Sequence, residues 1–598
     1  MAAALLDRRD LDFLLFDWLQ IESLLARPRY ADHTRDTVAA VLDLSERLAA
    51  GAFLPALKPS DQNEPTLTAD GVTVAPEVVA AVRQYAEAGL LAGPFDQTVE
   101  GLQLPQLLHY ASIAHFMAAS LATAAYPMLS IANARLLVAF GSAAQVEAFA
   151  LPQIRGQALG TMCLSEPQAG SSLADIRTLA VPDGEDELGY RHRLTGNKMW
   201  ISAGDHDITD DIVHLVLAKT PGADGKPLPG IGGISLFVVP KRLPDGQAND
   251  IAVAGLNHKM GYRGTSNCLL NFGEGKHLPS GAAGAIGWRI GGVGEGLSQM
   301  FHMMNEARTG VGLGAAAAGC RGHLLSVEYA RGRVQGRIAN ADGTSRPAVI
   351  IEHPDVRRML LLQKAYAEGA LALTLYSARL LDEQLSGDDA AAARASRLLD
   401  LLTPVVKTWP SEYGLAANDL AIQIHGGYGY TRDYDVEQLY RDNRLNPIHE
   451  GTTGIQALDL LGRKLLRDRG AALAELRAAV SATADAAGAD PSLVAHAKRL
   501  DAAWKRVGEV VDTLLEADAA HVLDDATPFL WAFGHAVVAW LWLDMARLCA
   551  DDTSFHRGKR AAARCFFEYE LPKVDAWLDQ VAARSDLLAS TAPELFHS

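Results

Sequence analysis

The feature that most constrains the fold of this chain is a stretch from about Leu159 to about Gly275 whose residue pattern differs from the rest. Short runs rich in Val, Ile, Leu and Thr alternate there with turn residues, as in DIVHLVLAKT, GISLFVVP and SNCLLNF. This alternation is typical of an antiparallel sheet or barrel with hairpin connections. On both sides of it, apolar residues recur at helical spacing. Because few folds place one β-domain between two helical halves, the sequence predicts a mainly α protein with a central β-domain.

The predicted order of elements divides the chain into five segments. With 598 residues, the chain is too long for one compact core. We expect an N-terminal helical extension ending in a long polar loop, a helical domain, a central β-barrel domain, a helical bundle and an added C-terminal helical domain. Their expected ranges are 1–75, 76–157, 158–280, 281–469 and 470–598. The loop corresponds to LPALKPSDQNEPTLTADG, and the polar connection RGRVQGRIANADGTSRPAVIIEHPDV is expected to be ordered only in part.

Charge and cysteine content exclude several classes of protein. The net charge of -17 works against nucleic acid or an anionic membrane as a bulk partner, because both would repel the chain. The five cysteines are scattered and lack CxxC spacing, so neither a disulfide framework nor a metal site is indicated. The N-terminus lacks the pattern of a signal peptide. No apolar run approaches the ~20 residues that span a bilayer. We therefore expect a soluble, cytoplasmic protein without an integral membrane span.

One carboxylate, Glu450, stands out in the segment NPIHEGTTGIQALDLLGRKLL. It is expected in a short loop before a helix that begins at about Gly454 and is capped by Thr452 or Thr453. A helix start offers free N–H groups and a partial positive charge, which suits a phosphate or a polar cofactor group. Glu450 is therefore a candidate for chemistry, although an acid in the first helical turn could equally serve only the helix dipole. The predicted buried face of the helix carries Ile455, Leu458, and Leu461 or Leu465.

Three further segments have patterns that suit a ligand. In TMCLSEPQAGSS a strand leads into a turn that exposes backbone amides and hydroxyls. In GNKMWISAG a turn at Asn197 and Lys198 precedes a strand with Trp200 and Ser202 on one face, where a flat ring could stack. QIHGGYGY ends a helix with two glycines, which allow a left-handed cap. On the residues alone, an ordinary hairpin is the more frequent explanation of the first segment and a core tryptophan that of the second. Capping alone is sufficient to explain the third. IGGVGEGL is predicted to be a loop before a helix.

Taken together, these segments resemble the acyl-CoA dehydrogenase family, in order and approximate spacing, from about Pro76 to Lys464. LSEPQAGSS resembles its flavin-binding turn, KMWISAG its Trp-and-hydroxyl strand, QIHGGYGYTRDYDVEQLYRD its glycine-bearing helix end, and HEGTTGIQALDLLGRK its catalytic-glutamate loop. The extra N-terminal and C-terminal segments suggest a branch of long chains. That branch includes 3-methylmercaptopropionyl-CoA dehydrogenases and related bacterial fatty acyl-CoA dehydrogenases, which these motifs do not separate.

The resemblance implies FAD as the cofactor and assigns expected contacts to it. The positions that match flavin-ring contacts are Met162, Leu164, Ser165, Trp200 and Ser202, and Thr452 matches a contact to the adenosine half. The positions that match contacts to the FAD of a neighbouring subunit are Arg333, Gln335, Gln423, Gly426 and Gly427. The expected coenzyme A contacts are Ser171, Asn305, Arg308 and Gly451.

This sequence departs from the family pattern at four places. Ser172 stands where Asp is frequent, and Gln335 stands where Thr is common. Asn305 replaces an acid, and His449 replaces the usual Tyr beside the glutamate. The last three weaken individual contact assignments and bear on the acyl pocket. They leave the predicted base, Glu450, unaffected.

The implied reaction is α,β-dehydrogenation of an acyl-CoA thioester to a trans-2-enoyl-CoA, a step of fatty acid β-oxidation. Glu450 would take the α-proton while the β-hydrogen leaves as hydride to flavin N5. An α-hydrogen is a weak acid, so the developing enolate must be stabilised as in an oxyanion hole. In the family the donors are the backbone N–H of the glutamate and a cofactor ribityl hydroxyl. Burial beside an apolar acyl chain is expected to raise the pKa of Glu450 toward a value useful for a base.

The resemblance also implies partners and leaves alternatives. We expect an electron-transfer flavoprotein as electron acceptor, and a homodimer because the added C-terminal domain should cover a surface that otherwise builds a tetramer. An acyl-CoA oxidase shares the base and the added domain. A DNA-associated alkylation-response relative needs a basic C-terminal domain, whereas residues 470–598 contain more acids than bases. A non-catalytic scaffold is disfavoured by the intact Glu450.

Overall fold

The computed structural model describes residues 4–222, 225–517 and 521–597, without the side chains of 302, 304 and 305. The chain forms two compact units. We call them the helical unit, residues 1–34, 106–114 and 311–598, and the sheet unit, residues 35–105 and 115–310. Helices Gln106–Ala119 and Gly296–Gly332 contribute residues to both units.

The sheet unit begins with helices and continues as a sheet. Its helices are Arg35–Leu48, Leu54–Gln62, Pro76–Glu87, Leu121–Phe140, Ala143–Gln145 and Leu151–Ile154. A small hairpin pairs Thr66–Thr68 with Gly71–Thr73. The strands of the main sheet are Ala158–Cys163, Leu179–Asp186, Gly189–Ser202, Asp211–Lys219, Ile234–Pro240, Ile251–Leu256, Asn267–Phe272 and Ala285–Ile290.

Within the described residues, these eight strands form one sheet whose path closes on itself. Strand Ala285–Ile290 pairs with Ile234–Pro240 and also with Gly189–Ser202, which returns the sheet to its own middle. Most neighbours are antiparallel, but Ala158–Cys163 runs parallel to Asp211–Lys219, and Leu179 also pairs in parallel with Lys219. Apolar side chains that alternate along the strands, such as Leu194, Phe237 and Phe272, fill the interior.

Several sequence expectations about the sheet unit are corrected. The predicted surface loop contains helix Leu54–Gln62, which buries Ala56, Leu57, Ser60 and Asp61 on one face despite an internal proline, and then the small hairpin. The sheet extends past Gly275 to Ile290. The predicted turn at Asn197 and Lys198 is wrong, because both residues lie inside strand Gly189–Ser202 and pair with Asn271 and Leu270.

The helical unit is built around two long helices, Pro354–Ser386 and Asp389–His425, that pack on each other. Its shorter helices are Arg8–Asp12, Ile21–Leu25, Val436–Asn443, Thr453–Leu458, Ala471–Ala487, Val494–Glu516, Ala526–Ala546, Ser554–Cys565, Lys573–Ala583 and Leu587–Ser590. The connection expected to be partly ordered forms a hairpin of strands Val334–Ala339 and Ser345–Val349.

Two helices in the described residues, Leu121–Phe140 and Ala526–Ala546, are long and apolar enough to cross a membrane by length and composition. This corrects the expectation that no apolar run approaches that length. The share of each apolar window that is buried inside the protein is 83% and 89%. Because buried core helices pass the same test, the two helices are weak evidence for a membrane span.

Candidate functional site

A buried ion pair in the sheet unit fixes the start of the turn LSEPQAGSS. The side chains of Glu166 and Lys198 are 3% and 0% exposed, and their Oε1 and Nζ atoms lie 2.9 Å apart. Lys198 Nζ also donates to the Leu164 carbonyl at 3.0 Å. The Glu166 carboxylate accepts further bonds from the Thr178 hydroxyl at 2.6 Å and from the Arg177 N–H at 2.6 Å. The backbone on both sides of Ser165 is therefore held by a satisfied buried network.

The charge state of this network follows from its partners. Burial by itself would raise the pKa of Glu166, but the Lys198 ammonium and the hydrogen bonds from Thr178 and Arg177 outweigh burial and lower the pKa to about 2. The carboxylate stays ionised at neutral pH. Its function here is to hold the turn.

The Trp-bearing strand lies against the same turn. The N–H of Met199 donates to the Ser165 carbonyl at 3.0 Å. The strand bulges between Lys198 and Ile201, where Trp200 has a φ of 65° and is 59% exposed. The Thr161 hydroxyl donates to the Ser202 carbonyl at 2.6 Å. The structure thus brings the five predicted flavin-ring positions of the sheet unit together: Met162, Leu164, Ser165, Trp200 and Ser202.

The glycine-bearing helix end lines a pocket in the helical unit. The pocket has a volume of about 410 Å³, and four predicted positions line it: Arg333, Gln335, Gly426 and Gly427. Gly426 ends helix Asp389–His425 with φ 62° and ψ −138°, and a Cβ at either glycine would meet no atom within 4 Å. This open surface allows close approach of a ligand to the backbone. Gln423 is exposed on the last turn of the helix.

The loop of Glu450 is outside the helix that follows it. Helix Thr453–Leu458 has Thr452 as its N-cap, whose hydroxyl accepts from the Ile455 N–H at 3.4 Å, as predicted. Glu450 lies two residues before the cap and has a φ of 53°. A first-turn acid would lie after the cap, so the helix-dipole explanation of Glu450 does not match its position.

Two buried side chains that the sequence analysis missed hold the loop. Lys407, on helix Asp389–His425, donates from Nζ to the Gly451 carbonyl at 2.7 Å. Gln456 donates from Nε2 to the Glu450 carbonyl at 3.1 Å. Both residues are 0% exposed. The signal in the sequence was a cation and an amide within otherwise apolar helical faces, since such groups are buried only when they have partners.

The expected coenzyme A positions are placed as follows. Ser171 is exposed in the turn of the sheet unit. Arg308 is 4% exposed on helix Gly296–Gly332. The Asn305 side chain lies outside the described residues. Gly451 has a φ of 88°, and a Cβ there would lie 2.5 Å from Gln456 Nε2. Gly451 therefore has to be glycine for the loop to keep its bond to Gln456.

Comparisons with known proteins show which family this chain belongs to. The family descriptions "Acyl-CoA dehydrogenase, middle domain", "Acyl-CoA dehydrogenase, C-terminal domain" and "Acetyl-CoA dehydrogenase C-terminal like" match residues 161–274, 294–466 and 472–591. The chain is 33% identical to a 3-methylmercaptopropionyl-CoA dehydrogenase of Ruegeria pomeroyi, with 97% of each chain covered. The chain belongs to the acyl-CoA dehydrogenase family.

Two further proteins illustrate the family relationship. The chain is 33% identical to the broad-specificity linear acyl-CoA dehydrogenase FadE5 of Mycobacterium tuberculosis, over 94% of this chain and 95% of that protein. The fold is similar to that of Caenorhabditis elegans ACDH-11, solved in complex with C11-CoA. That similarity has a TM-score of 0.79 at 21% identity and covers 98% of this chain and 95% of the other.

Members of the acyl-CoA dehydrogenase family are FAD-dependent oxidoreductases that act on acyl-CoA. The residues present fit that cofactor. The pocket of the helical unit presents the Arg333 guanidinium and the open backbone of Gly426 and Gly427, which suit the phosphate part of a dinucleotide. The sheet unit presents the exposed Trp200 indole, which suits a flat ring system.

Proposed function

We propose that Glu450 is the base that removes the α-proton of an acyl-CoA thioester, which becomes a trans-2-enoyl-CoA. The observation that carries this proposal is the position of Glu450 before the helix cap, in a left-handed conformation whose following carbonyls are bound by Gln456 and Lys407. A non-glycine residue with positive φ costs about 1–2 kcal/mol, and such strain is typical of functional sites. The second supporting fact is membership of a family whose members act on acyl-CoA.

The residues of this chain would hold FAD at two places. Met162, Leu164, Ser165, Trp200 and Ser202 would contact its ring system, and Thr452 its adenosine half. Arg333, Gln335, Gln423, Gly426 and Gly427 would contact the FAD of a second subunit. When bound, FAD supplies the acceptor for the β-hydride at N5.

The backbone of the Glu450 loop would stabilise the enolate that forms as the α-proton leaves. The direction of the Glu450 N–H depends on the peptide planes around it, and the bonds of Gln456 and Lys407 fix the next two planes. A donor that is already oriented needs no reorganisation when charge develops on the thioester oxygen. Lys407 and Gln456 are thus part of the arrangement that makes Glu450 effective.

The expected substrate is a straight-chain acyl-CoA, with 3-methylmercaptopropionyl-CoA as an alternative that the name of one relative suggests. Coenzyme A would contact Ser171, Asn305, Arg308 and Gly451. An electron-transfer flavoprotein is the proposed acceptor. We also propose a homodimer, because the pocket lined by Arg333 and Gly426 would then receive the cofactor of the partner.

Anaerobic bleaching of the flavin absorbance by a panel of acyl-CoAs tests this function. Wild-type protein should bleach with at least one straight-chain thioester or with 3-methylmercaptopropionyl-CoA. Glu450→Gln should retain its flavin yet bleach at least ~100-fold more slowly, since general-base catalysis contributes about 10²–10⁴-fold. Glu516→Gln, at an exposed glutamate of helix Val494–Glu516, is the matched control and should bleach like wild type. Equal rates in Glu450→Gln and wild type would refute the assignment of the base, and purified protein that binds no flavin would refute the proposed function.

A further inference from the structure

A chain of amide hydrogen bonds ends on His449, the residue before Glu450. His449 Nε2 lies 3.1 Å from Asn446 Oδ1. Asn446 Nδ2 donates to Asn443 Oδ1 at 2.8 Å, and Asn443 Nδ2 donates to Asn418 Oδ1 at 2.7 Å. Asn418 Nδ2 donates to the Ala318 carbonyl at 2.9 Å. The three asparagines are 0% exposed, so solvent does not take the place of any of these partners.

The direction of this chain determines which nitrogen of His449 carries the proton. A backbone carbonyl only accepts, so the side-chain nitrogen of Asn418 must face the Ala318 carbonyl. The side-chain oxygen of Asn418 then faces Asn443. The same step repeats from Asn443 to Asn446 and leaves an oxygen facing the imidazole. Nε2 of His449 must therefore be the donor. Two backbone carbonyls fix these amide orientations, because Asn443 Nδ2 also donates to the Ala315 carbonyl at 3.3 Å. The tautomer of His449 follows from them.

The imidazole also stays neutral. Burial, and after it the positive charge of Lys407 on helix Asp389–His425, lowers the pKa of His449 to about 3. Two carboxylates belong to the surroundings of this loop: Glu450 follows His449 directly in the chain, and Glu412 accepts from the Thr453 hydroxyl at 2.6 Å. An imidazolium directly beside Glu450 would stabilise its carboxylate form and weaken it as a base. A neutral ring avoids that loss.

We propose that His449 is a positioning residue for Glu450, locked by the chain Asn418–Asn443–Asn446 as a neutral ring protonated at Nε2. His449 anchors the loop before Glu450, while Gln456 and Lys407 anchor it after Glu450. The three anchors together orient the Glu450 carboxylate and N–H. This inference rests on the proposed function of Glu450, and it identifies what the histidine at this position contributes.

Nitrogen-15 NMR of histidine-labelled holoenzyme tests the tautomer without reference to activity. The signals of His449 are identified by their loss in His449→Gln, among the 18 histidines of the chain. We expect a protonated Nε2 and an unprotonated Nδ1, both unchanged from pH 5.5 to pH 8. A proton on Nδ1, or titration within this range, would overturn the proposal. This readout is independent of whether Glu450 proves to be the base, which Glu450→Gln decides separately.

A substitution in the hydrogen-bond chain Asn418–Asn443–Asn446 tests how that chain affects the rate of the reaction. Asn446→Asp keeps an acceptor at Nε2, loses the donor to Asn443 Oδ1 and adds a negative charge. His449 should therefore titrate between pH 5.5 and pH 8 in this variant. Flavin reduction by acyl-CoA should then fall about tenfold on acidification in this variant, as expected for a base weakened by one pKa unit, while the wild-type rate changes less. Asn63→Asp, at an exposed asparagine, is the control. Identical pH profiles of Asn446→Asp and wild type would count against the proposal.

A second pair of variants keeps the proposal testable if Asn446→Asp does not fold. His449→Gln retains a neutral donor and should keep the rate of flavin reduction within about threefold of wild type, because the neutral amide can bond Asn446 as imidazole does. His449→Phe retains bulk without a donor and should lower the rate about tenfold or more, with KM changed little, since it loses orientation rather than binding. Equal rates for the two variants would contradict a positioning function for the Nε2 bond.

Discussion

Lys198 is a lysine without solvent contact, and its ammonium group bonds Glu166 and the Leu164 carbonyl. Removal of one partner from a buried ion pair leaves an uncompensated charge and is strongly destabilising. The same principle applies at Lys407, whose ammonium group binds the Gly451 carbonyl. At the residue scale, therefore, one buried cation binds the backbone of each of the two segments that carry the proposed chemistry.

Lys198→Met should lower the free energy of unfolding at pH 7 by about 3–5 kcal/mol, because Glu166 then lacks its counter-charge. Urea unfolding followed by circular dichroism measures the change. Lys505→Met, with a side chain 77% exposed, is the control and should stay within about 0.5 kcal/mol of wild type. The double variant Glu166→Gln/Lys198→Met should recover part of the loss, and a loss in Lys198→Met no larger than in the control would contradict the prediction.

The pKa of Glu166 also predicts a dependence of stability on pH. Its folded-state pKa of about 2 is below the value of about 4.3 for an unperturbed glutamate. The carboxylate therefore contributes stability that is present above about pH 4.3 and is lost as the pH falls through 2. Urea unfolding of Glu166→Gln should show a weaker acid dependence between about pH 4.3 and pH 2.5 than wild type. Parallel curves for the two proteins would show that Glu166 does not contribute.

At the scale of elements, strand Gly189–Ser202 makes one very close contact, between Gly196 and Thr178. A Cβ at Gly196, whose φ is +154°, would lie 2.5 Å from Thr178 Oγ1 and 2.7 Å from Thr178 Cα. Thr178 in turn donates to Glu166. The glycine therefore permits the contact between the strand and Thr178, which donates to the glutamate of the turn LSEPQAGSS.

Gly196→Ala should destabilise the protein by about 1–3 kcal/mol, because the added methyl group overpacks a tight contact and displaces Thr178. We also expect reduced flavin content in the purified protein, measured by its absorbance ratio. Gly255→Ala, in strand Ile251–Leu256, is the matched control because a Cβ there meets no atom within 4 Å. Equal unfolding midpoints and equal flavin content in the two variants would show that the contact between Gly196 and Thr178 does not control stability or flavin binding.

At the scale of the whole molecule, the C-terminal helices form part of the core of the helical unit. Trp542, from helix Ala526–Ala546, donates to the Ala365 carbonyl at 3.1 Å. Trp409 donates to His535 Nδ1 at 3.2 Å, so His535 donates from Nε2 to Glu570, 3.2 Å away. These partners are buried. The division of the chain into five segments remains our proposal. Within it, we expect segment 470–598 to be required for folding of the helical unit.

Deletion of residues 470–598 should yield insoluble protein, because helices Pro354–Ser386 and Asp389–His425 would expose the apolar surface that these helices cover. Deletion of 587–598 is the control, since the described residues of helix Leu587–Ser590 and of Pro593–His597 include no buried side chain. The control should remain soluble and keep its flavin. Solubility after expression and size-exclusion chromatography measure both. A soluble, cooperatively unfolding protein that lacks 470–598 would contradict the prediction.

The amino-acid sequence by itself determined the order of helices and sheet and the Thr452 cap, because periodicity and helix capping act over a few residues. The candidate segments of the site came from their resemblance to a family. The tertiary structure decided what depends on distant partners. Leu458, predicted to be buried, is 43% exposed, whereas Leu460, Leu461 and Leu465 are buried. Strand Leu179–Asp186 is polar and mostly exposed, so only pairing with its neighbours reveals it.

The partners of the Glu450 loop also depend on residues that are distant in the sequence. Lys407 precedes Gly451 by 44 positions, and Asn443 bonds Asn418 across 25 positions. No local pattern encodes such pairs, because each polar group is buried only where the fold brings its partner within hydrogen-bond distance. The sequence alone therefore identified the candidate base, and the tertiary structure alone showed what holds it in place.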